Sequence, residues 1–305
     1  MLFFNAFIVT MGRNESEWEY LAKKVTEAGA DIVELNFSCP NMEEKKVGVD
    51  IGQAPELVTR FTAAARRGTS VPILAKMTPN ITDITVPARA AIEGGADGIA
   101  AINTIKSITG VNLETMVAAP AVHGYSAIGG YSGRAVKPIA LRFIAEMALD
   151  KKLKDCHLSA MGGIYTWKDA AEFLSLGAGS LQITTAIMEY GYRIIDDLIS
   201  GLKYFMGIRN IKNLKELIGN ATESIVDTNA IERDTVLFPV FHKDKCLSCG
   251  RCFLSCRDGG HQAIAFDDVN PFPKLDGSKC VGCHLCILVY PNDAISYAKK
   301  RIEKK

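Results

Sequence analysis

The chain has 305 residues, 48% of them hydrophobic, and a formal net charge of +1. That length allows one or two packed domains, and the balanced charge gives no reason to expect nucleic acid or an anionic membrane as a partner. No apolar run reaches the roughly 18 residues that a membrane helix needs, and the opening MLFFNAFIVT lacks the positive flank of a signal peptide.

In chain order, LFFNAFIVT reads as a buried strand and SEWEYLAKKVTEAGA as an amphipathic helix. DIVELNFS (from Asp31), PILAKMT (from Pro72), GIAAINT (from Gly98), HLSAMGG (from His157) and SLQITTAI (from Ser180) read as further strands. Helical patterns such as PELVTRFTAAARRG and TWKDAAEFLSLGAG fall between them, several closing on Gly as a helix stop. The strands carry Ile, Val, Leu and Ala on both faces, as parallel strands covered by helices should.

Alternating strand and helix implies an α/β fold with right-handed crossovers. No G-x-G-x-x-G string follows the first strand, so a dinucleotide-binding open sheet is not indicated. Polar and Gly-rich residues gather instead at the carboxyl ends of several strands, where a (β/α)8 TIM-type barrel builds its site. Six strand–helix units are found where such a barrel has eight. The expected architecture is therefore an N-terminally incomplete barrel over residues 1–205, its first two units missing, with two strand edges that need covering. A connector follows over 206–240, with one short helical pattern, NLKELIGNA. Residues 241–305 are expected to form a small α+β ferredoxin-like domain.

Of the nine cysteines, seven lie between Cys246 and Cys286. Tight C-x2-C spacing and an odd count argue for metal rather than disulfides, and for a reducing, cytoplasmic compartment. Cys246, Cys249, Cys252 and Cys256 form one C-x2-C-x2-C-x3-C run; Cys280, Cys283 and Cys286 begin a second. Two such runs signal a two-cluster ferredoxin module, in which the last cysteine of each run binds the other run's cluster. Structural zinc also uses C-x2-C pairs, but the triple spacing and the following Pro291 favour iron–sulfur. The second run ends in Tyr290 where the pattern has cysteine. The first cluster then has three cysteines, leaving open an oxygen or external ligand, a three-iron cluster, or no stable cluster.

On the barrel, Cys39 ends the second strand in NFSCPN, among polar groups, whereas Cys156 reads as core. Lys76 in KMTPN could face the electron-rich edge of a flavin ring. Asn103 and Thr104 offer amide and hydroxyl partners for a polar ring. Gly133 in GGYSG, Met161-Gly162-Gly163, and Thr184-Thr185 supply NH groups and hydroxyls for a phosphate, for which late barrel loops are the usual place.

NFSCPN, AKMTPNITDI, INTIKSITGVNL, GGYSGRAVKPIALR, MGGIYTWKDAAEFLSLGAGSLQITTA and the ferredoxin tail together resemble dihydropyrimidine dehydrogenase, most closely the barrel-plus-ferredoxin subunit of the bacterial two-subunit form. The similarity runs in order over nearly the whole chain. Dihydroorotate dehydrogenase is similar over the barrel and is the alternative enzyme; a truncated, non-catalytic electron-transfer protein is the alternative outside enzymes. The resemblance implies reduction of uracil or thymine to 5,6-dihydropyrimidines, with hydride from FMN to C6 and a proton from Cys39 to C5. It implies that Asn36, Phe37, Ser38, Asn103 and Thr104 line the substrate, and that Lys76, Gly133, Met161, Gly162, Gly163, Thr184 and Thr185 hold FMN. Electrons would come from NAD(P)H through iron–sulfur clusters and a partner flavoprotein subunit carrying FAD, in a hetero-oligomer.

Overall fold

The structure is a computed structural model that describes residues 6–39, 48–267, 269–298 and 302–303. The chain divides into two units, 1–225 and 226–305.

The first unit is built on one sheet of six parallel strands in chain order: β1 (Phe7–Thr10), β2 (Ile32–Asn36), β3 (Ile73–Lys76), β4 (Gly98–Ala101), β5 (His157–Met161) and β6 (Ser180–Gln182). These are the six expected strands, and the incomplete α/β barrel stands. Residues 2–5 of the first expected strand lie outside the described residues. The registers place Val33 opposite Ile73, Leu74 opposite Gly98, and Gly98 opposite His157. Strand β4 is buried at every residue, which is why its sequence GIAA shows no polar alternation. Among the described residues, β1 and β6 each pair on one side only, and Phe7 and Val9 on β1 stay exposed. The sheet curls all the same: Gln182 on β6 donates across the interior to Glu34 on β2, 2.8 Å away.

Helices cover the outside of the sheet: α1 (Glu15–Glu27), α2 (Pro55–Gly68), α3 (Thr85–Glu93), α4 (Lys137–Leu149), α5 (Trp167–Ser175), α6 (Thr185–Tyr190) and α7 (Ile194–Ile208). Their ends follow from local chemistry. Asn14 caps α1 by accepting from the Glu17 backbone N–H at 3.0 Å, Pro55 opens α2, and Thr166 with Asp169 forms a capping box on α5. Trp18 on α1 is fully buried against Phe37 and Phe61, with ring centroids 5.0 and 6.2 Å away. Each such side chain removed from water stabilises the layer by about 1.5–3 kcal/mol.

Between β4 and α4 runs an arm of two small antiparallel ladders, Ile105–Ser107 with Gly129–Tyr131 and Gly110–Asn112 with Val117–Ala119. Part of the expected connector packs onto this unit. After α7, the backbone N–H groups of Gly219 and Ala221 donate to the carbonyls of Leu174 and Ser175, at 3.0 and 2.9 Å, at the end of α5. NLKELIGNA forms one tight 3-10 turn, Leu214–Glu216, rather than an α-helix.

Among the described residues, the second unit has two α-helices, α8 (Arg251–Asp258) and α9 (Leu285–Leu288), and three two-stranded antiparallel ladders. Pro239–Phe241 pairs with Ile295–Tyr297, Ile264–Ala265 with Lys274–Leu275, and Thr235–Val236 with Ile302–Glu303. Among the described residues, no helix is long and apolar enough to cross a membrane.

Candidate active site

The carboxyl ends of β3, β4, β5 and β6 enclose a cavity of about 330 Å³. Lys76, Asn103, Thr104, Gly133, Met161, Gly162, Gly163, Thr184 and Thr185 all line it, so residues expected separately from five stretches of sequence meet in one place. Ser132, Tyr165 and Gln182 join them.

The glycines form the far wall by close backbone approach. Gly163 has φ +78°, and a Cβ there would sit 2.8 Å from Lys137 Cβ and 3.0 Å from the Gly133 carbonyl. Gly162 (φ +123°) would carry a Cβ 2.9 Å from Ala140 Cβ. Only glycine takes both this conformation and this spacing, and the side-chain-free backbone it leaves lines the cavity wall. Behind it, Lys137 pairs with Asp169 at 2.6 Å and Glu172 at 2.8 Å. Burial pushes the Asp169 carboxyl up, but bonds from Lys137, Thr166 and the Tyr165 and Thr166 backbone outweigh it, and the group lies below its ordinary range. Tyr165 donates to Glu189 at 2.7 Å under the Arg134 guanidinium, and burial with that bond pushes its phenol up to about 12.

At the near wall, Lys76 Nζ stands 3.0 Å from Glu34 Oε1, with Glu34 fully buried and the lysine side chain 17% exposed. Gln182 holds the other carboxylate oxygen and also donates to Ser159 Oγ at 3.1 Å. A cation is thus fixed at the cavity by a carboxylate beneath it. Glu34 and Gln182 were missed in the sequence, although Glu34 is the one charged residue of its strand IVELN; Gln182 ends the strand SLQ with no motif to mark it.

The end of β2 reaches the site through Asn103. Its amide Nδ2 donates to Ser38 Oγ at 2.8 Å and approaches Asn36 Oδ1 at 3.4 Å, while Ser38 Oγ donates to Asn36 Oδ1 at 2.8 Å. Phe37 is fully buried, and its ring packs on Trp18 rather than lining the cavity. Cys39 is partly buried next to Ser38, with its carbonyl accepting from the Val49 backbone N–H at 2.9 Å; Pro40 and Asn41 of the same motif lie outside the described residues. Burial pushes the Cys156 thiol up to about 11, as suits an inert core cysteine.

In the second unit, Cys256, Cys280, Cys283 and Cys286 line one small cavity with Pro239, Ile264 and Leu275. Cys256 comes from the first run and joins the three of the second, the exchange that the spacing implies. Its Sγ accepts from the Ala263 backbone N–H at 3.2 Å. Burial, together with the neighbouring cysteines, pushes Cys252 and Cys286 up to about 11. Four thiols gathered at one small cavity suit a centre that binds several thiolates at once. Among the described residues, no three His, Cys, Asp or Glu side chains converge on the position of a single ion; a cubane spreads its ligands over different irons.

The dihydroorotate dehydrogenase family matches residues 4–206, and the 4Fe-4S dicluster domain matches residues 240–297. The chain belongs to the dihydroorotate dehydrogenase family, an oxidoreductase barrel here fused to an iron–sulfur domain. A flavin goes with the first match and an iron–sulfur cluster with the second. Within that family, the chain is 50% identical to the NAD-dependent dihydropyrimidine dehydrogenase subunit PreA of Escherichia coli K12, over 96% of this chain and 72% of the relative. It is 42% identical to the chloroplastic dihydropyrimidine dehydrogenase (NADP(+)) of Arabidopsis thaliana, over 69% of this chain and 50% of that one. The catalytic subunit of dihydroorotate dehydrogenase B (NAD(+)) of Thermococcus kodakarensis is 38% identical over 72% of this chain and 69% of its own. A crystal structure of ligand-free DHODH from Eimeria tenella shares the fold, with a TM-score of 0.54 over 68% of this chain and 61% of that one, at 20% identity.

Proposed function

We propose that the chain is the pyrimidine-reducing subunit of a dihydropyrimidine dehydrogenase, acting on uracil or thymine with FMN and iron–sulfur clusters. The observation that carries this reading is the single cavity where Lys76, Asn103, Thr104, the glycines at 133, 162 and 163, and Thr184-Thr185 meet. The likeness to PreA runs through both units, whereas that to the dihydroorotate relative covers 72% of the chain, which favours the pyrimidine reading over the dihydroorotate one.

FMN, when bound, supplies hydride to C6 of the pyrimidine. Gly133, Gly162, Gly163 and Thr185 would hold its phosphate through backbone N–H and hydroxyl groups, and Lys76, anchored by Glu34, would set a positive charge at the ring edge. The Asn36–Ser38–Asn103 network orients amide and hydroxyl groups toward the polar edge of the substrate, and Thr104 adds a hydroxyl. Cys39 gives its proton to C5 as general acid. Phe37 stands apart from this set: its ring packs on Trp18, and its backbone N–H donates to the Lys76 carbonyl at 3.2 Å. The cysteines of the second unit would hold the clusters that supply electrons to the site, and a partner flavoprotein would draw them from NAD(P)H; the E. coli relative is itself named a subunit.

Turnover with uracil and with dihydroorotate under artificial electron donors and acceptors tests the reading. Uracil reduction is expected to dominate; a preference for dihydroorotate overturns it. Efficient oxidation of NADH by the isolated chain overturns the need for a partner.

A further inference from the structure

The two cysteine loops of the second unit are built alike. Ser248 and Gly250 in the first take φ values of 51° and 68°, and Gly282 and His284 at the matching places in the second take 71° and 58°. The third cysteine of each loop, Cys252 or Cys286, is buried at the second position of its helix. Four residues further on stand Cys256 and Tyr290. Cys256 leaves its own loop and lines the cavity of Cys280, Cys283 and Cys286. Tyr290 crosses in the opposite direction: its hydroxyl accepts from the Leu247 backbone N–H at 2.8 Å, inside the Cys246–Cys252 loop, and lies against Cys246. Its ring packs against the small core formed by Cys252, Ile264, Cys286 and Ile295. Each loop therefore receives one polar atom from the other, a sulfur in one case and a phenol oxygen in the other.

We infer that Tyr290 is the fourth protein ligand of the cluster held by Cys246, Cys249 and Cys252, bound through Oη. The inference rests on the iron–sulfur reading of this unit and not on the pyrimidine chemistry. On binding, the phenol O–H bond breaks, an iron–oxygen bond forms, the proton passes to water, and no electron is transferred. An oxygen ligand is harder than thiolate, so one iron of this cluster differs from the other three and is the first to leave on oxidation. The Leu247 N–H would serve the ligand oxygen as backbone N–H groups serve ligand sulfurs.

The test uses the full chain, reconstituted anaerobically with iron and sulfide, as wild type, Tyr290→Phe and Tyr290→Cys. Iron content, resonance Raman and electron paramagnetic resonance are read on each. Two four-iron clusters give about eight irons per chain. Wild type is expected to hold that number and to show enhanced tyrosinate ring modes. Tyr290→Phe is expected to lose those modes and about one iron, and to show a three-iron signal when oxidised; Tyr290→Cys is expected to regain full iron without ring modes. The wild-type spectrum decides even if a variant fails to fold. Absence of ring modes in wild type, with iron and resonance matching Tyr290→Phe, overturns the assignment. No bound iron or sulfide in any of the three overturns the iron–sulfur reading beneath it.

Discussion

Replacing Glu34 by glutamine keeps the shape of a fully buried side chain and removes its charge. In the wild type, Oε2 accepts from Gln182 at 2.8 Å, and Oε1 faces Lys76 Nζ at 3.0 Å. Both neighbours present donors, so the single amide NH2 of a glutamine meets a donor whichever way it turns. Gln182 can relieve the conflict on its side only by reversing its amide, which requires the Ser159 hydroxyl that now accepts from its Nε2 to turn and donate. Removing one partner of a fully buried ion pair costs about 3–5 kcal/mol. Lys76 retains 17% exposure and regains some hydration, which brings the expected loss to about 2–3 kcal/mol. Urea unfolding followed by tryptophan fluorescence reads this directly, since Trp18 and Trp167 both lie in the first unit. A double-mutant cycle with Lys76→Met should return a coupling of about 1–3 kcal/mol. Stability of Glu34→Gln within about 0.5 kcal/mol of wild type, or strict additivity in the cycle, refutes the reasoning.

Gly163→Ala places a Cβ 2.8 Å from Lys137 Cβ at φ +78°; a strain of about 1–2 kcal/mol should weaken FMN binding by about 5- to 30-fold, and an unchanged affinity in a fluorescence titration contradicts the cradle. Cys39→Ala should leave FMN binding intact and slow pyrimidine reduction by about 10²-fold or more; unimpaired turnover shows that the proton comes from elsewhere. Asp169 has a lowered folded-state pKa, so its stabilisation is present above the unfolded value near 3.9 and is lost as pH falls through the lowered one. Asp169→Asn should therefore be less stable than wild type at pH 7, with the gap closing below about pH 4; a constant gap across that window contradicts the assignment.

The barrel was legible because its strands are short apolar runs such as GIAA and HLSAM, separated by helices with readable ends, and parallel strands buried on both faces leave that trace. The cavity was legible residue by residue through the motifs at strand ends, and the structure brings those residues together. Phe37 was not: a motif does not tell which face of a strand end its ring takes, and Trp18 claims it for the core. Glu34 and Gln182 were passed over because a polar residue outside any motif shows its purpose only when the curl of the sheet sets β6 across from β2. The arm over 105–131 escaped because its strands are three residues long and exposed or only half-buried, which leaves no hydrophobic period to read. In the second unit the spacing of Cys246 to Cys286 announced the ligands, while the crossing of Tyr290 to Leu247 required coordinates.

The account depends most on the cavity being a flavin site, and titration of the purified full chain with FMN, followed by quenching of flavin fluorescence, tests this most directly. Saturation at one FMN per chain, weakened in Gly163→Ala, is the predicted result. A folded chain that leaves added FMN fluorescent and freely dialysable contradicts it.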